Sequence, residues 1–164
     1  MMKGIKGIHH VAMSVPDLDR AEAFYCGVLG FEIADRFSFG PSPESDEVTG
    51  VPDAAAKVIM LRAGNMHLEI FEYHNPGVGE QSGRRPVCDH GYTHLALEVD
   101  GDIQQVYRTL AEAGVKWHAP VLDDLEGEGY AVTYGRDPFG NVLEIQKLSN
   151  GNPAHISHLP HWKA

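Results

Sequence analysis

Two stretches of the chain alternate apolar and polar residues in the same way. Gly7-Ile8-His9-His10-Val11-Ala12-Met13-Ser14-Val15 is matched by Gly91-Tyr92-Thr93-His94-Leu95-Ala96-Leu97-Glu98-Val99, with His94 standing 84 positions after His10. Alternation in a run rich in β-formers predicts a strand in each. An acidic stretch follows both, Pro16-Asp17-Leu18-Asp19 and Asp100-Gly101-Asp102. The apolar spacing then changes to three and four residues: Leu18, Ala21, Phe24, Tyr25 and Val28 in the first copy, Ile103, Val106, Tyr107, Leu110 and Ala113 in the second. That spacing predicts an amphipathic helix. Asp17 and Asp102 suit its positive N-terminal end, and Gly30 and Gly114 suit its C-terminal cap. Phe31 and Val115 are expected to open the next strands.

A second repeat closes each copy. Gly64-Asn65-Met66-His67-Leu68-Glu69-Ile70 resembles Gly140-Asn141-Val142-Leu143-Glu144-Ile145. Gly-Asn signals a hairpin turn, so each copy is expected to end in a hairpin whose return strand carries a glutamate. The pattern predicts an α+β chain of two βαβββ modules at residues 5–75 and 90–148. Between them, 76–89 is rich in glycine and proline and reads as a linker. Residues 40–54, with Pro41, Pro43, Gly50 and Pro52, read as a loop that in part covers the site. Residues 149–164 form a polar tail, too short for a core of its own and expected to lie over a neighbouring surface.

Composition narrows the function classes. The 164 residues hold 43% hydrophobic and 22% charged positions, the balance of an ordinary globular chain. No apolar run reaches the roughly 20 residues that span a bilayer, and residues 1–10 lack a basic patch followed by an apolar run, which favours the cytoplasm. The formal charge of −10 argues against nucleic acid and anionic membrane as partners. Cys26 and Cys88 are too few and too far apart for a zinc CxxC site and are expected to be free thiols.

The repeats preserve two residues that folding does not require. His10 matches His94, and Glu69 matches Glu144. On strands with apolar neighbours, an apolar side chain packs at lower cost, and a buried carboxylate is costly unless paired or bound to a cation. A lone strand histidine is most often structural, and a lone Leu-Glu-Ile says less still. Recurrence of both at equivalent positions leaves a metal site and a structural role evenly balanced on the residues alone. Two imidazoles and two carboxylates suit Ni, Co, Mn, Fe or Zn better than Ca or a thiolate-seeking ion.

At these residues the sequence resembles the vicinal oxygen chelate superfamily, which includes glyoxalase I, methylmalonyl-CoA epimerase, extradiol ring-cleaving dioxygenases and bleomycin resistance proteins. The matching segments are Ile8-His9-His10-Val11-Ala12, Phe24-Tyr25, Leu29-Gly30-Phe31 and Leu68-Glu69-Ile70. In the second module they are Thr93-His94-Leu95-Ala96 and, most specific, Asp137-Pro138-Phe139-Gly140-Asn141-Val142-Leu143-Glu144. The resemblance spans about residues 5–148 and omits the tail. It implies a glyoxalase-like fold in which two mixed sheets form a half-open cleft, one divalent ion on His10, Glu69, His94 and Glu144, a small-molecule substrate and a homodimer. The full ligand set leans toward an isomerase or lyase. Such an enzyme would stabilise an enediolate-like intermediate of a substrate with adjacent oxygens, with Glu144 first and Glu69 second as the carboxylate that moves a proton. A ring-cleaving dioxygenase and a metal-free binding protein are the alternatives. Ser14 and Tyr73 stand where glyoxalase I has the Arg and Asn that help hold glutathione, so a glutathione adduct is not the expected substrate.

Further residues enter as candidates. His67 shares the strand face of Glu69 and is a candidate for the cleft lining or for a bond to a ligand. Tyr130 and Tyr134 are candidate donors to a substrate oxygen. His9 is expected to point away from His10, toward the helix side. Arg136 beside Asp137 reads as a surface pair, Arg84 and Arg85 as linker charges able to meet an anionic substrate tail, and Glu47 as a loop acid without support as a base. His155, His158 and His161 form no convincing ligand set.

Overall fold

The structure is a computed structural model that describes residues 5, 7–77, 86–125 and 129–159. The chain divides into two compact units, with the boundary between residues 80 and 81. Arg84, Arg85 and His161 lie outside the described residues.

The first unit contains β1 (His10–Ser14), α1 (Leu18–Tyr25), β2 (Glu32–Phe39), α2 (Pro43–Thr49), β3 (Ala55–Ala63) and β4 (Met66–Asn75). Its sheet has the order β1-β4-β3-β2, with β1 parallel to β4 and the other pairs antiparallel. The Asp17 carboxylate caps α1 by accepting from the Arg20 amide at 2.9 Å. Ala21, Phe24 and Tyr25 of that helix are buried, as are Ile59, Leu61, Leu68 and Ile70 on β3 and β4. Because strand residues alternate between faces, this core takes Leu68 and Ile70 to one side of β4 and leaves His67 and Glu69 on the other.

Residues 43–49 are helical, where the prolines and glycine predicted only a loop. Ser42 accepts from the Ser45 amide at 3.0 Å, Pro43 opens the helix, and Gly50 closes it at φ +68°. These are capping signals, but α2 buries no residue, so no apolar stripe announced it. Glu47 is exposed on this helix.

The second unit contains β5 (Leu95–Glu98), α3 (Ile103–Glu112), β6 (Lys116–Trp117), β7 (Leu122–Leu125), β8 (Tyr130–Arg136) and β9 (Val142–Lys147). The sheet order is β5-β9-β8-β6, with β7 also paired to β8, and β5 is parallel to β9. The βαβ start and closing hairpin thus recur in both units, while the second strand of the second unit is split into β6 and β7. Gly135 permits the close approach of β6: a Cβ there would stand 2.5 Å from the Trp117 ring and 3.0 Å from the Lys116 carbonyl oxygen. The first strand is shorter than its alternation suggested. β9 begins only at Val142, and Leu95 already pairs with Leu143, so residues 91–93 have no partner strand.

Arg136 Nη1 donates to the Gly140 carbonyl at 2.7 Å, holding the β8–β9 turn. Asp137, 3% exposed, accepts from the amides of Phe139 and Asn141. The specific Asp-Pro-Phe-Gly-Asn segment is therefore a turn built around one buried carboxylate. Both cysteines are free, as expected, Cys26 half-buried and Cys88 exposed.

The tail returns to its own unit. The Glu98 carboxylate takes His155 Nε2 at 3.1 Å and accepts from the Ile156 amide at 3.1 and 3.2 Å. Both side chains are mostly enclosed, so the contact is not a solvated surface pair. Replacing Glu98 with Ala removes hydrogen bonds to a charged acceptor, each worth about 1.5–3 kcal/mol. Amide exchange at residues 155–159 should then speed up by about tenfold or more, while β8 and β9 keep their protection. Unchanged exchange in that segment would show that other contacts hold the tail.

Candidate functional site

Each unit brings one histidine and one glutamate together by the same register. In the first, Ala12 of β1 faces Glu69 of β4, and His10 stands two residues before Ala12. In the second, Ala96 faces Glu144, and His94 stands two residues before Ala96. Registered partners and residues two apart share a sheet face, so histidine and glutamate meet on a diagonal. His10 Nε2 lies 3.4 Å from Glu69 Oε2, and His94 Nε2 lies 3.0 Å from Glu144 Oε2.

Burial makes these pairs unusual. Glu69 is 9% exposed and Glu144 4%. Among the described residues, no lysine or arginine pairs with either glutamate. A carboxylate at that depth needs compensating positive charge or hydrogen-bond donors.

Glu144 has two more neighbours. Tyr134 is its register partner on β8, and Tyr130 Oη donates to its Oε1 at 3.5 Å. Burial first, then hydrogen bonding to Glu144, its negative charge and the neighbouring Tyr130 push the Tyr134 phenol up to about 12. Burial followed by the Glu144 charge and hydrogen bond also raises Tyr130. Both phenols therefore stay protonated donors at neutral pH. The Tyr134 ring stands edge-on to His94, with centroids 5.1 Å apart.

In the first unit His67 is the register partner of His10. It does not stand alone, because His9 stacks on it at 4.9 Å between centroids. His9 also hydrogen-bonds His10, Nδ1 to Nδ1, at 2.9 Å. The expectation that His9 points to the helix side is thus corrected: His9 precedes β1, and strand alternation does not reach it. A cavity of about 410 Å³ beside this stack is lined by residues that include His9, Arg62, Asn65 and His67. In the second unit the residue before the histidine does likewise: Thr93 Oγ1 hydrogen-bonds His94 Nδ1 at 2.8 Å. Sequence reasoning missed both contacts, although Thr93 and His9 occupy matching places in the repeat.

The donor atoms suit a divalent ion. Two ligand atoms at about 2.1 Å from one ion and at right angles are about 3 Å apart, close to the His–Glu spacing in each unit. Each unit supplies one nitrogen and one oxygen donor. Among the described residues, no group of three or more histidine, cysteine, aspartate or glutamate side chains is gathered at one point. His155 and His158 belong to the tail contact, with rings 6.3 Å apart.

Residues 7–145 match the model of the Glyoxalase/Bleomycin resistance protein/Dioxygenase superfamily. The chain belongs to that superfamily. It is 36% identical over 166 residues to a 2-epi-5-epi-valiolone epimerase from Actinomyces sp, covering 92% of this chain and 86% of the relative. A methylmalonyl-CoA epimerase from Bos taurus is 35% identical over a shorter stretch, 57% of this chain and 46% of the relative. Among solved structures, a glyoxalase family protein from Bacillus cereus superposes with a TM-score of 0.78 at 21% identity, covering 91% of this chain and 99% of that one. The last likeness concerns the fold alone. It agrees with the two α+β modules expected from the repeats and with the glyoxalase-type mixed sheets that the resemblance implied. Among the described residues, no helix is long and apolar enough to cross a membrane.

Proposed function

We propose that this glyoxalase-superfamily chain is a metal-dependent isomerase, an epimerase acting beside a carbonyl of a small oxygen-rich substrate. The observation that carries the reading is the twofold occurrence of a buried glutamate against a histidine, with no lysine or arginine paired to it among the described residues. The 36% identity to an epimerase favours isomerisation over ring cleavage or passive binding. His10, Glu69, His94 and Glu144 are the residues that would hold one divalent ion. Such an ion supplies Lewis acidity, lowering the cost of negative charge on substrate oxygens.

The chain's own groups would handle the proton. Epimerisation removes a proton from one side of a carbon next to a carbonyl and returns one to the other. Glu69 and Glu144 are two carboxylates suited to those two steps. Tyr130 and Tyr134 donate to Glu144, orient its oxygens and stand ready as donors to substrate oxygen. His67 lines the approach on the first unit. A homodimer in the cytoplasm with a small-molecule substrate completes the reading.

The test combines metal analysis with proton exchange. Freshly purified protein should contain about one divalent ion per chain. In D2O, 2-epi-5-epi-valiolone, the compound named for the Actinomyces relative, should gain deuterium at a carbon beside its carbonyl. Deuterium entry without net conversion would place the true substrate among its close analogues. Protein free of metal, with no exchange after addition of Ni, Co, Mn, Zn or Fe, would sink the reading.

A further inference from the structure

Resting on the ligand reading above, we infer that His9 and Thr93 are matched positioning residues that aim the two ligand imidazoles. Each hydrogen-bonds Nδ1 of the histidine that follows it, at 2.9 Å for His9 and 2.8 Å for Thr93. In both cases the other ring nitrogen, Nε2, is the one that faces the buried glutamate.

These contacts are not a default of strand structure. Neighbours on a regular strand point to opposite faces, so a side-chain bond between residues i and i+1 requires the chain to leave strand geometry there. β1 begins at His10 and β5 at Leu95, so His9 and Thr93 both lie just outside the regular strands. The two units reach the same arrangement with different chemistry, an imidazole in one and a hydroxyl in the other. Shared ancestry of the fold does not require the bond, but a shared task does.

The task follows from imidazole chemistry. A neutral ring bound to an ion through Nε2 carries its proton on Nδ1. In that state His94 donates from Nδ1 to Thr93 Oγ1, and His10 donates from Nδ1 to the lone pair of His9 Nδ1. The bond fixes both the tautomer and the rotation of the ring. His9 is itself held by its stack on His67, which gives His67 a role as support for His10 through His9.

The experiment loads the full chain with Co(II) and measures affinity by competition with a chelator, together with the shifted ring N–H signals of the coordinated histidines in the NMR spectrum. Thr93→Val keeps the shape and removes the acceptor. His9→Ala removes the imidazole at an exposed position. Each should weaken Co(II) binding by about 10- to 100-fold. Each should also speed solvent exchange of one N–H signal and spare the other. Thr93→Ser, which restores a hydroxyl, should recover most of the affinity. Affinities within twofold of wild type, with both signals unchanged, would overturn the positioning role while the ligand reading stands. A wild-type chain that binds no Co(II) would overturn both, and the two failures differ in the wild-type measurement alone.

Discussion

Glu144→Gln should leave a chain that folds and barely turns over. The amide has the shape of the carboxylate and still offers an oxygen to Tyr130 and Tyr134, the phenols that point at this position. It lacks the charge that binds a cation and the basicity that accepts a proton. Loss of a positioned acid–base group alone costs about 10²–10⁴-fold in rate, and loss of the ligand adds to that. Turnover, followed as deuterium entry, should therefore fall by at least about 10²-fold, with a parallel drop in bound metal. Stability of the metal-free chain should move the other way or not at all. A carboxylate 4% exposed, with no lysine or arginine partner among the described residues, is an expensive group to bury, and its neutral isostere relieves that cost. Glu69→Gln should act in the same sense, with a smaller gain in apo stability because its side chain is more open to water, 12% against 5%. Full turnover and unchanged metal content in Glu144→Gln would remove this residue from the active site.

The repeat made much of this visible in the sequence, because it aligned residues that hold equivalent places in the two units. Offsets between His10 and His94 and between Glu69 and Glu144 fixed which strands begin and end each unit. Pairing of the first strand with the last then follows from the parallel βαβ start and the closing hairpin. What escaped was structure that depends on partners rather than period. Helix α2 has caps but no buried face, so hydrophobic spacing was silent about it. β5 is cut short by where β9 begins, a matter of register that no local alternation reports. His9 and Thr93 turn toward the histidines beside them only because the chain is not yet a strand at those positions. The tail's contact with β5 runs through a half-buried carboxylate, Glu98, that the pattern counted as the polar member of an alternating run.

Leu143→Ala should do the reverse of Glu144→Gln at the adjacent position. Leu143 is fully buried, pairs with Leu95 across the sheet, and projects from β9 to the side opposite Glu144. Truncation removes its transfer free energy and leaves a cavity, together about 2–5 kcal/mol for a buried leucine. Urea denaturation should show this as a lowered midpoint with little change in slope. The donor atoms of His94 and Glu144 are untouched, so the fraction that remains folded at low urea should still bind Co(II) within a few-fold of wild type. Leu68→Ala, at the matching place beside Glu69 and equally enclosed, should repeat the result in the first unit. The strand separates the two tasks by its alternation: one residue holds the sheet to its core, and the next, on the opposite face, is free to be chosen for chemistry. If Leu143→Ala lost metal affinity as completely as Glu144→Gln while still folded, that separation would be wrong, and the position of Glu144 would depend on tight packing behind it.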